Sequence, residues 1–203
     1  MIVLAPAPDR YRCRPVVDAP AHRPTAVGVE ATVLQAQRGD RAAFDELYRE
    51  FARVVHGIAL AHCGSRDAED VTQDVFVSAY ERLAELREPA AFPSWLCTTA
   101  RHAAIDHLRR RQRRPAAAEL YDIAAGGNSP AEAFASEDAA ARILGKIQKL
   151  GEAYRETLVL RLVEGLTGPE IAARTGMTHG SVRVNLTRGM AMLRPLLQEA
   201  GLA

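Results

Sequence analysis

Residues 167–194 have the sequence TGPEIAARTGMTHGSVRVNLTRGMAMLR, and the caps and glycines of this stretch decide the fold prediction. Thr167 and Glu170 have the spacing of a capping box, which begins a short helix that ends at Gly176. Thr178 is a suitable N-cap for a second helix, so only a short turn separates the two. Two helices joined in this way are typical of a helix-turn-helix.

The outer face of the second helix is suited to nucleic acid. Val182 and Leu186 are predicted to face the first helix, which leaves the opposite face to solvent. No acidic residue occurs between Gly180 and Arg194, and arginine, histidine and threonine can donate hydrogen bonds to phosphates and base edges. The sequence therefore predicts DNA binding, against the alternative of a helical hairpin that binds nothing. The candidate recognition residues are His179, Arg183, Thr187 and Arg188.

Apolar residues recur at helical spacing through most of the chain, and no strand-like alternation occurs, so an all-α fold is predicted. A short helix is expected from about Val29 to Arg38. Asp40 is the expected N-cap of a long helix that ends before Gly64. A third helix is expected to begin after Ser65 or Asp67, and a fourth near Pro93. The inward stripe predicted for the long helix is Phe44, Leu47, Tyr48, Phe51, Val54, Val55 and Ile58.

Composition divides the chain into four segments. Residues 1–28 hold five of the eleven prolines and are predicted to be a flexible arm. Residues 29–114 predict one small domain of four helices. Residues 115–128 include two adjacent glycines and no apolar stripe, which is typical of a linker. A capping box begins residues 129–203, which predict a second small helical domain that contains the helix-turn-helix.

The net charge of +1 conceals a segregation of charge along the chain. Residues 101–114 carry six arginines and one aspartate, a net charge of +5. Residues 115–138 carry five acids and no base, and residues 66–88 carry seven acids and three arginines. Such separation favours different surfaces for different partners. The basic run could bind a polyanion through counterion release, although it would also suit the C-terminal end of a helix dipole.

The sequence gives no support for catalysis, for a cofactor or for a metal site. It has no phosphate-binding glycine loop, no HExxH or GxSxG motif, and no Ser–His or Cys–His arrangement suited to a nucleophile. Cys13, Cys63 and Cys97 are odd in number and scattered, which argues against disulfides. His62 and Cys63 are expected to be buried rather than bound to zinc, since no set of four ligands is apparent.

Two further expectations concern location and the single tryptophan. No apolar run approaches the roughly 20 residues that cross a bilayer, so a cytoplasmic protein without membrane insertion is expected. Trp95 has two possible roles, because it could pack behind Phe92 or stack on an opened base. Packing is the favoured interpretation.

Several stretches together resemble the conserved regions of bacterial RNA polymerase sigma factors. The sequence DAEDVTQDVFVSAY at residues 67–80, followed by residues 92–110, resembles the second conserved region. The sequence YRETLVLR at residues 154–161, with residues 170–173 and 180–189, resembles the fourth. The presence of only these two regions is similar to the extracytoplasmic-function (ECF) subfamily.

The resemblance implies promoter recognition, DNA opening and transcription initiation, without catalysis by the chain itself. It implies that an acidic helix docks on the β′ clamp helices of core RNA polymerase, through Asp67, Asp70, Gln73 and Asp74. It implies that a basic helix holds the minus-ten element of promoter DNA, through Arg101, His102, Arg109, Arg110 and Arg111. The recognition helix would contact the minus-thirty-five element while its domain rests on the β flap. An anti-sigma factor is a further expected partner.

Two other classes of protein remain as alternatives at this point. The first is a helix-turn-helix regulator that binds duplex DNA alone and uses its N-terminal helices to dimerise or to sense a signal. The second is a protein-interaction module with incidental basic charge. Dependence on core polymerase separates these alternatives, because only a sigma factor requires it.

Overall fold

Helices make up most of the computed structural model, which describes residues 26–113 and 141–201. No strand occurs in these two stretches, and the predicted all-α class is confirmed. The linker predicted at 115–128 and the helix start predicted at Ser129 lie outside the described residues. The helices are α1 (Ala26–Gln37), α2 (Arg41–Cys63), α3 (Ala68–Arg82), α4 (Phe92–Arg113), α5 (141–147), α6 (Glu152–Leu162), α7 (Gly168–Thr175) and α8 (His179–Glu199).

Helix α2 is the centre of the first unit, which comprises α1 to α4. The Asp40 carboxylate accepts hydrogen bonds from the backbone N–H groups of Ala42 and Ala43, so the predicted cap is confirmed. Helices α1, α3 and α4 all pack against α2. Most of the predicted inward stripe is buried, but Tyr48 is 39% exposed and its ring instead packs on Phe76, with centroids 4.6 Å apart. The prediction was wrong at Tyr48 because its position lies at the edge of the stripe.

Two short 3₁₀ turns, Leu83–Glu85 and Pro89–Ala91, connect α3 to α4. They bring Phe92 into the core, where its ring meets Phe51 edge-on at a centroid distance of 5.3 Å. Trp95 is half-buried and lies 6.0 Å from Phe92, centroid to centroid. Its packing role is therefore confirmed.

The second unit comprises α5 to α8, and its helices cross at a glycine. Gly189 of α8 is buried against α6, where an added Cβ would lie 3.1 Å from the Leu158 Cδ1 atom. Such a distance is shorter than ordinary contact between carbon atoms. A residue without a side chain therefore allows α8 to approach α6 closely enough to bury Leu158 and Leu193.

The two units share one continuous core, which the sequence did not predict. Helix α6 packs on α2, and α7 packs on α4. The two units approach closely at Gly57 of α2, where an added Cβ would lie 2.6 Å from the Leu160 Cδ2 atom. The last turn of α7 also contacts the first unit, since the Cys97 thiol of α4 donates a hydrogen bond of 3.5 Å to the Arg174 carbonyl. The described part of the chain is thus a closed arrangement of the two units.

Candidate nucleic-acid and polymerase interfaces

The helix-turn-helix is formed by α7 and α8, and its caps have the predicted geometry. The Thr167 hydroxyl accepts from the Glu170 N–H, while the Glu170 carboxylate accepts from the Thr167 N–H at 2.8 Å. Gly176 ends α7 in the left-handed conformation with φ of +73°, which favours glycine. Thr178 then caps α8 by accepting from the Ser181 N–H at 3.1 Å.

The predicted recognition residues lie on the solvent face of α8. His179, Arg183 and Thr187 are spaced four residues apart, so they form one stripe along the helix, and Arg188 lies beside it. All four are exposed, while Val182 is buried against the rest of the unit. Within the described residues, neither Arg183 nor Arg188 takes part in an ion pair, so both guanidinium groups are available for a ligand.

The C-terminal half of α4 is the second basic surface. His102, Arg109 and Arg110 are exposed, and Arg109 makes only a surface ion pair of 3.5 Å with Asp106. Such an exposed pair contributes little to stability and is easily exchanged for another anion. These side chains therefore form a surface that a nucleic-acid backbone can approach.

Arg111, one of the five residues predicted for the minus-ten element, is already paired with a buried carboxylate within the chain. Arg111 donates to the Asp67 carboxylate at 2.9 Å, and His107 lies 3.5 Å from the same oxygen. This arrangement also explains why Asp67 makes no side-chain cap for α3 and is nearly buried, although it was predicted as a core-polymerase contact. Its proposed role stays a prediction, but a polymerase contact would have to compete with Arg111.

The exposed face of α3 combines acidic and aromatic residues. Asp70, Gln73 and Asp74 are exposed on successive turns. Further along the same helix Val77 is 59% exposed and Tyr80 is 52% exposed. Exposed apolar side chains next to charge are typical of a protein-binding surface. Sequence periodicity did not single out Val77 and Tyr80, because the other residues on this face of α3 are polar and two apolar residues make too short a stripe.

The Tyr80 ring is held in place by a contact with α2. It meets Phe44 edge-on, with ring centroids 4.9 Å apart. Tyr48 lies on Phe76 nearby. These ring contacts fix the position of α3 on α2. The exposed surface of α3 is called the α3 platform hereafter, and it comprises Asp70, Gln73, Asp74, Val77 and Tyr80.

Arg101, another predicted DNA contact, is bound to the second unit. Its Nε and Nη2 atoms donate to the two carboxylate oxygens of Glu156 on α6, at 2.7 and 2.9 Å. His62 of α2 donates to the same carboxylate at 2.8 Å. Burial would raise the pKa of Glu156, but the hydrogen bonds from His62 and Arg101 and the charge of Arg101 lower it overall. Glu156 is therefore ionised at neutral pH although it is buried.

A second buried carboxylate makes a parallel contact between the units. Glu164 accepts a hydrogen bond of 2.7 Å from His56 of α2 and lies 3.7 Å from the Arg53 guanidinium. Acidic side chains on helices are usually solvated, yet Glu156 and Glu164 are only 5% and 7% exposed. The interface that buries them lies between two distant segments of the chain, so local periodicity could not indicate it.

One group of side chains among the described residues could in principle hold a metal ion. His62, Glu152 and Glu156 place ligand atoms within 4.8 Å of one another. However, the Arg101 guanidinium already occupies the Glu156 carboxylate, and a dication there would meet its positive charge. These three side chains therefore suit the internal ion pair with Arg101 better than a bound metal ion.

The two cysteines in the described residues are buried thiols. Burial raises the pKa of Cys63 to about 11 and that of Cys97 to about 12. Both are therefore protonated and poor nucleophiles at neutral pH. The expected burial of Cys63 and of His62, whose side chain is 6% exposed, is confirmed.

These features define a class: a two-unit helical protein with a helix-turn-helix, a second basic helix and a separate acidic face. Residues 47–114 match the Sigma-70 region 2 family, and residues 140–193 match the Sigma-70 region 4 family. The chain is 33% identical to the RNA polymerase sigma-H factor of Pseudomonas aeruginosa over 183 residues, which cover 83% of this chain and 95% of that protein.

A similar match is found to the ECF RNA polymerase sigma factor SigE of Mycolicibacterium smegmatis, with 33% identity over 88% of this chain and 70% of that protein. Among solved structures, CnrH in complex with the cytosolic domain of CnrY has the same fold, with a TM-score of 0.57 and 24% identity over 86% of this chain and 99% of that one. The chain belongs to the ECF group of the sigma-70 family and is a sigma factor that acts in transcription initiation. No helix of the described residues is long and apolar enough to span a membrane.

Proposed function

We propose that this chain binds core RNA polymerase and promoter DNA through three separate surfaces, and that it has no catalytic activity of its own. The observation that carries the proposal is the division of exposed charge. Two basic helix faces, on α4 and α8, are separated from the acidic and aromatic platform of α3. Such a division suits one chain that holds DNA at two places and a protein at a third.

The α8 stripe is the proposed contact with the minus-thirty-five element. The N-terminal part of a recognition helix faces base edges in the major groove, which assigns base contacts to His179, Arg183 and Thr187. Arg188 lies further along and is proposed to contact phosphate. The absence of acidic residues between Gly180 and Arg194 supports this assignment, because no local carboxylate repels the DNA.

The α4 surface is the proposed contact with the minus-ten element. Arg110 is exposed and can neutralise a phosphate, and Arg109 can do so after exchanging its surface ion pair with Asp106; His102 is also exposed. Arg101 and Arg111 would join them after exchanging their internal carboxylate partners for DNA. The number of phosphates contacted then sets how steeply binding depends on salt.

The α3 platform is the proposed docking site for the β′ subunit of core polymerase. Its carboxylates offer steering and specificity, and Val77 and Tyr80 offer apolar area. The second unit is proposed to contact the β subunit. An anti-sigma factor is a proposed regulatory partner; the related CnrH was solved with a cytosolic domain bound, which supports a protein partner for this fold.

A pair of double variants separates the protein surface from the DNA surface. Asp70→Lys with Asp74→Lys reverses the charge of the α3 platform, whereas Arg109→Ala with Arg110→Ala removes charge from α4. The first is expected to weaken binding to purified core polymerase, measured by fluorescence anisotropy, and the second to leave it unchanged. The second is expected to weaken promoter-complex formation and to flatten its dependence on salt. Equal loss of core binding in both variants would refute the assignment of surfaces.

A further inference from the structure

An exposed valine lies at the centre of the outward side of α8. Val182 is buried against the rest of the second unit, and successive residues of an α-helix are about 100° apart around its axis. Val184 is therefore about 200° around the helix from Val182, on the side that points away from the unit, and it is 41% exposed. Arg183 and Thr187 lie to one side of Val184, and Arg188 lies to the other.

The surroundings of Val184 distinguish it from an ordinary exposed apolar residue. Val184 does not pack against the core of the described residues, whereas Leu186 of the same helix does. Its neighbours Arg183 and Arg188 make no ion pair within residues 26–113 and 141–201. Gly180, one turn earlier, has no side chain that would keep a duplex away. An apolar side chain between two unpaired guanidinium groups is therefore placed where DNA approaches most closely.

The major groove of DNA contains one apolar group that such a side chain can contact. Thymine carries a C5-methyl group there, whereas the specific features of the other three bases are hydrogen-bond donors and acceptors. The valine side chain has no hydrogen-bonding group, so it gains nothing from those polar edges. Its two γ-methyl groups can, however, exclude water from another methyl group. The positive charge on both sides favours nucleic acid over an apolar protein surface as the occupant.

We propose that Val184 recognises the C5-methyl group of one thymine in the upstream element, and so makes the protein prefer a T·A pair at one position. This inference rests on the proposed function, because it takes α8 as the recognition helix. Adjacent residues have Cα atoms about 3.8 Å apart, and adjacent base pairs are about 3.4 Å apart. The thymine is therefore expected within two base pairs of the base that Arg183 contacts.

The first experiment removes the methyl group from the DNA. The full chain with core polymerase first selects its preferred element from duplexes with a randomised upstream region. Each thymine of that element, in either strand, is then replaced by deoxyuridine, which lacks only the C5-methyl group. Replacement at one position is expected to weaken binding about fourfold, the equivalent of about 0.8 kcal/mol for one buried carbon group. An element without a T·A pair, or one that no replacement weakens, would overturn the proposal.

The second experiment removes the methyl groups from the protein. Val184→Ala is expected to fold as the unaltered chain does, because Val184 is exposed and alanine has the higher helix propensity. This variant is expected to bind the thymine and deoxyuridine duplexes equally. Met192→Ala is the matched control, since Met192 is a 44% exposed apolar residue about two turns further along α8, and it should keep the difference of about fourfold. A difference that survives Val184→Ala, or that Met192→Ala also removes, would overturn the role given to Val184.

The same measurements separate this inference from the proposed function. If the full chain with core polymerase selects no upstream element, the proposed function fails and the Val184 contact fails with it. If an element is selected but its affinity does not depend on a thymine methyl group, only the Val184 contact is overturned. The base pair whose preference is relaxed by Arg183→Ala is expected within two base pairs of the methyl-sensitive thymine, and a greater separation would overturn the placement of Val184.

Discussion

A methyl group added at Gly57 tests the contact between the two units most simply. In an open helix, replacing glycine by alanine stabilises the fold by about 1 kcal/mol. At Gly57, however, the new Cβ would lie 2.6 Å from Leu160 Cδ2 and 3.0 Å from Glu164 Cγ. Carbon atoms in contact are about 3.5–4.0 Å apart, so Leu160 or the whole of α6 must move by roughly 1 Å.

The expected magnitude follows from those distances. Overpacking a core costs about 1–3 kcal/mol. Displacing Glu164 also weakens the hydrogen bond from His56, and bonds to charged groups contribute about 1.5–3 kcal/mol. After the gain in helix propensity is subtracted, Gly57→Ala is expected to lower the free energy of unfolding by roughly 1–4 kcal/mol.

Gly145→Ala is the matched control for this prediction. Gly145 lies within α5, and an added Cβ there would meet no heavy atom within 4 Å. The same substitution is therefore expected to raise the free energy of unfolding by about 0.5–1 kcal/mol. Urea unfolding followed by far-UV circular dichroism measures both variants. If Gly57→Ala stabilises the chain as much as Gly145→Ala does, α6 does not pack on α2 as described.

Three further outcomes are expected. Arg183→Ala should weaken binding to the preferred upstream element by roughly 1–3 kcal/mol and relax the base preference at one or two base pairs, whereas Arg188→Ala should weaken binding to all sequences equally. Binding of both variants to a randomised upstream element, with core polymerase present, measures the two effects. An unchanged base preference for Arg183→Ala would refute the base contact. The pKa of Glu156 is lowered in the fold, so its contribution to the free energy of unfolding is complete above the ordinary carboxyl pKa of about 4.3 and is lost as pH falls through the folded pKa. Glu156→Gln should therefore make the free energy of unfolding less dependent on pH in the acid range. An unaltered pH dependence would contradict the pairing of Glu156 with His62 and Arg101. Iodoacetamide at pH 8 should leave Cys63 and Cys97 unmodified in the folded chain, because burial raises the pKa of both thiols. Mass spectrometry measures the modification, and rapid alkylation of either cysteine would contradict its burial.

The local structure could be predicted from the sequence because its signals are local. Asp40, Thr167 and Thr178 cap the helices that they were expected to cap, and Gly176 ends α7 as predicted. Each of these depends on hydrogen bonds within four residues of the cap. The first helix begins at Ala26, three residues before the predicted start, which is an ordinary difference at a helix end.

The contact between the units could not be predicted in the same way. Glu156 looks like any acid on an amphipathic helix, and only its partners His62 and Arg101, 94 and 55 residues away, explain its burial. Asp67 was expected on an open acidic face, yet it pairs with Arg111, which lies 44 residues along the chain. Such pairs depend on which helices meet, and that depends on the whole core. The solvent exposure of His179, Arg183, Thr187 and Arg188 was easier to predict, because it needs no distant partner.

Transcription from a template library tests the central claim that this chain gives core polymerase its promoter specificity. Purified core RNA polymerase, the chain and linear DNA with a randomised upstream region are combined, and the transcripts are sequenced. Transcripts with shared upstream and start-proximal elements are predicted only when the chain and core are both present. If core gives the same transcripts with or without the chain, while the chain alone selects duplex DNA with the same preference, the protein is a regulator and the account is wrong.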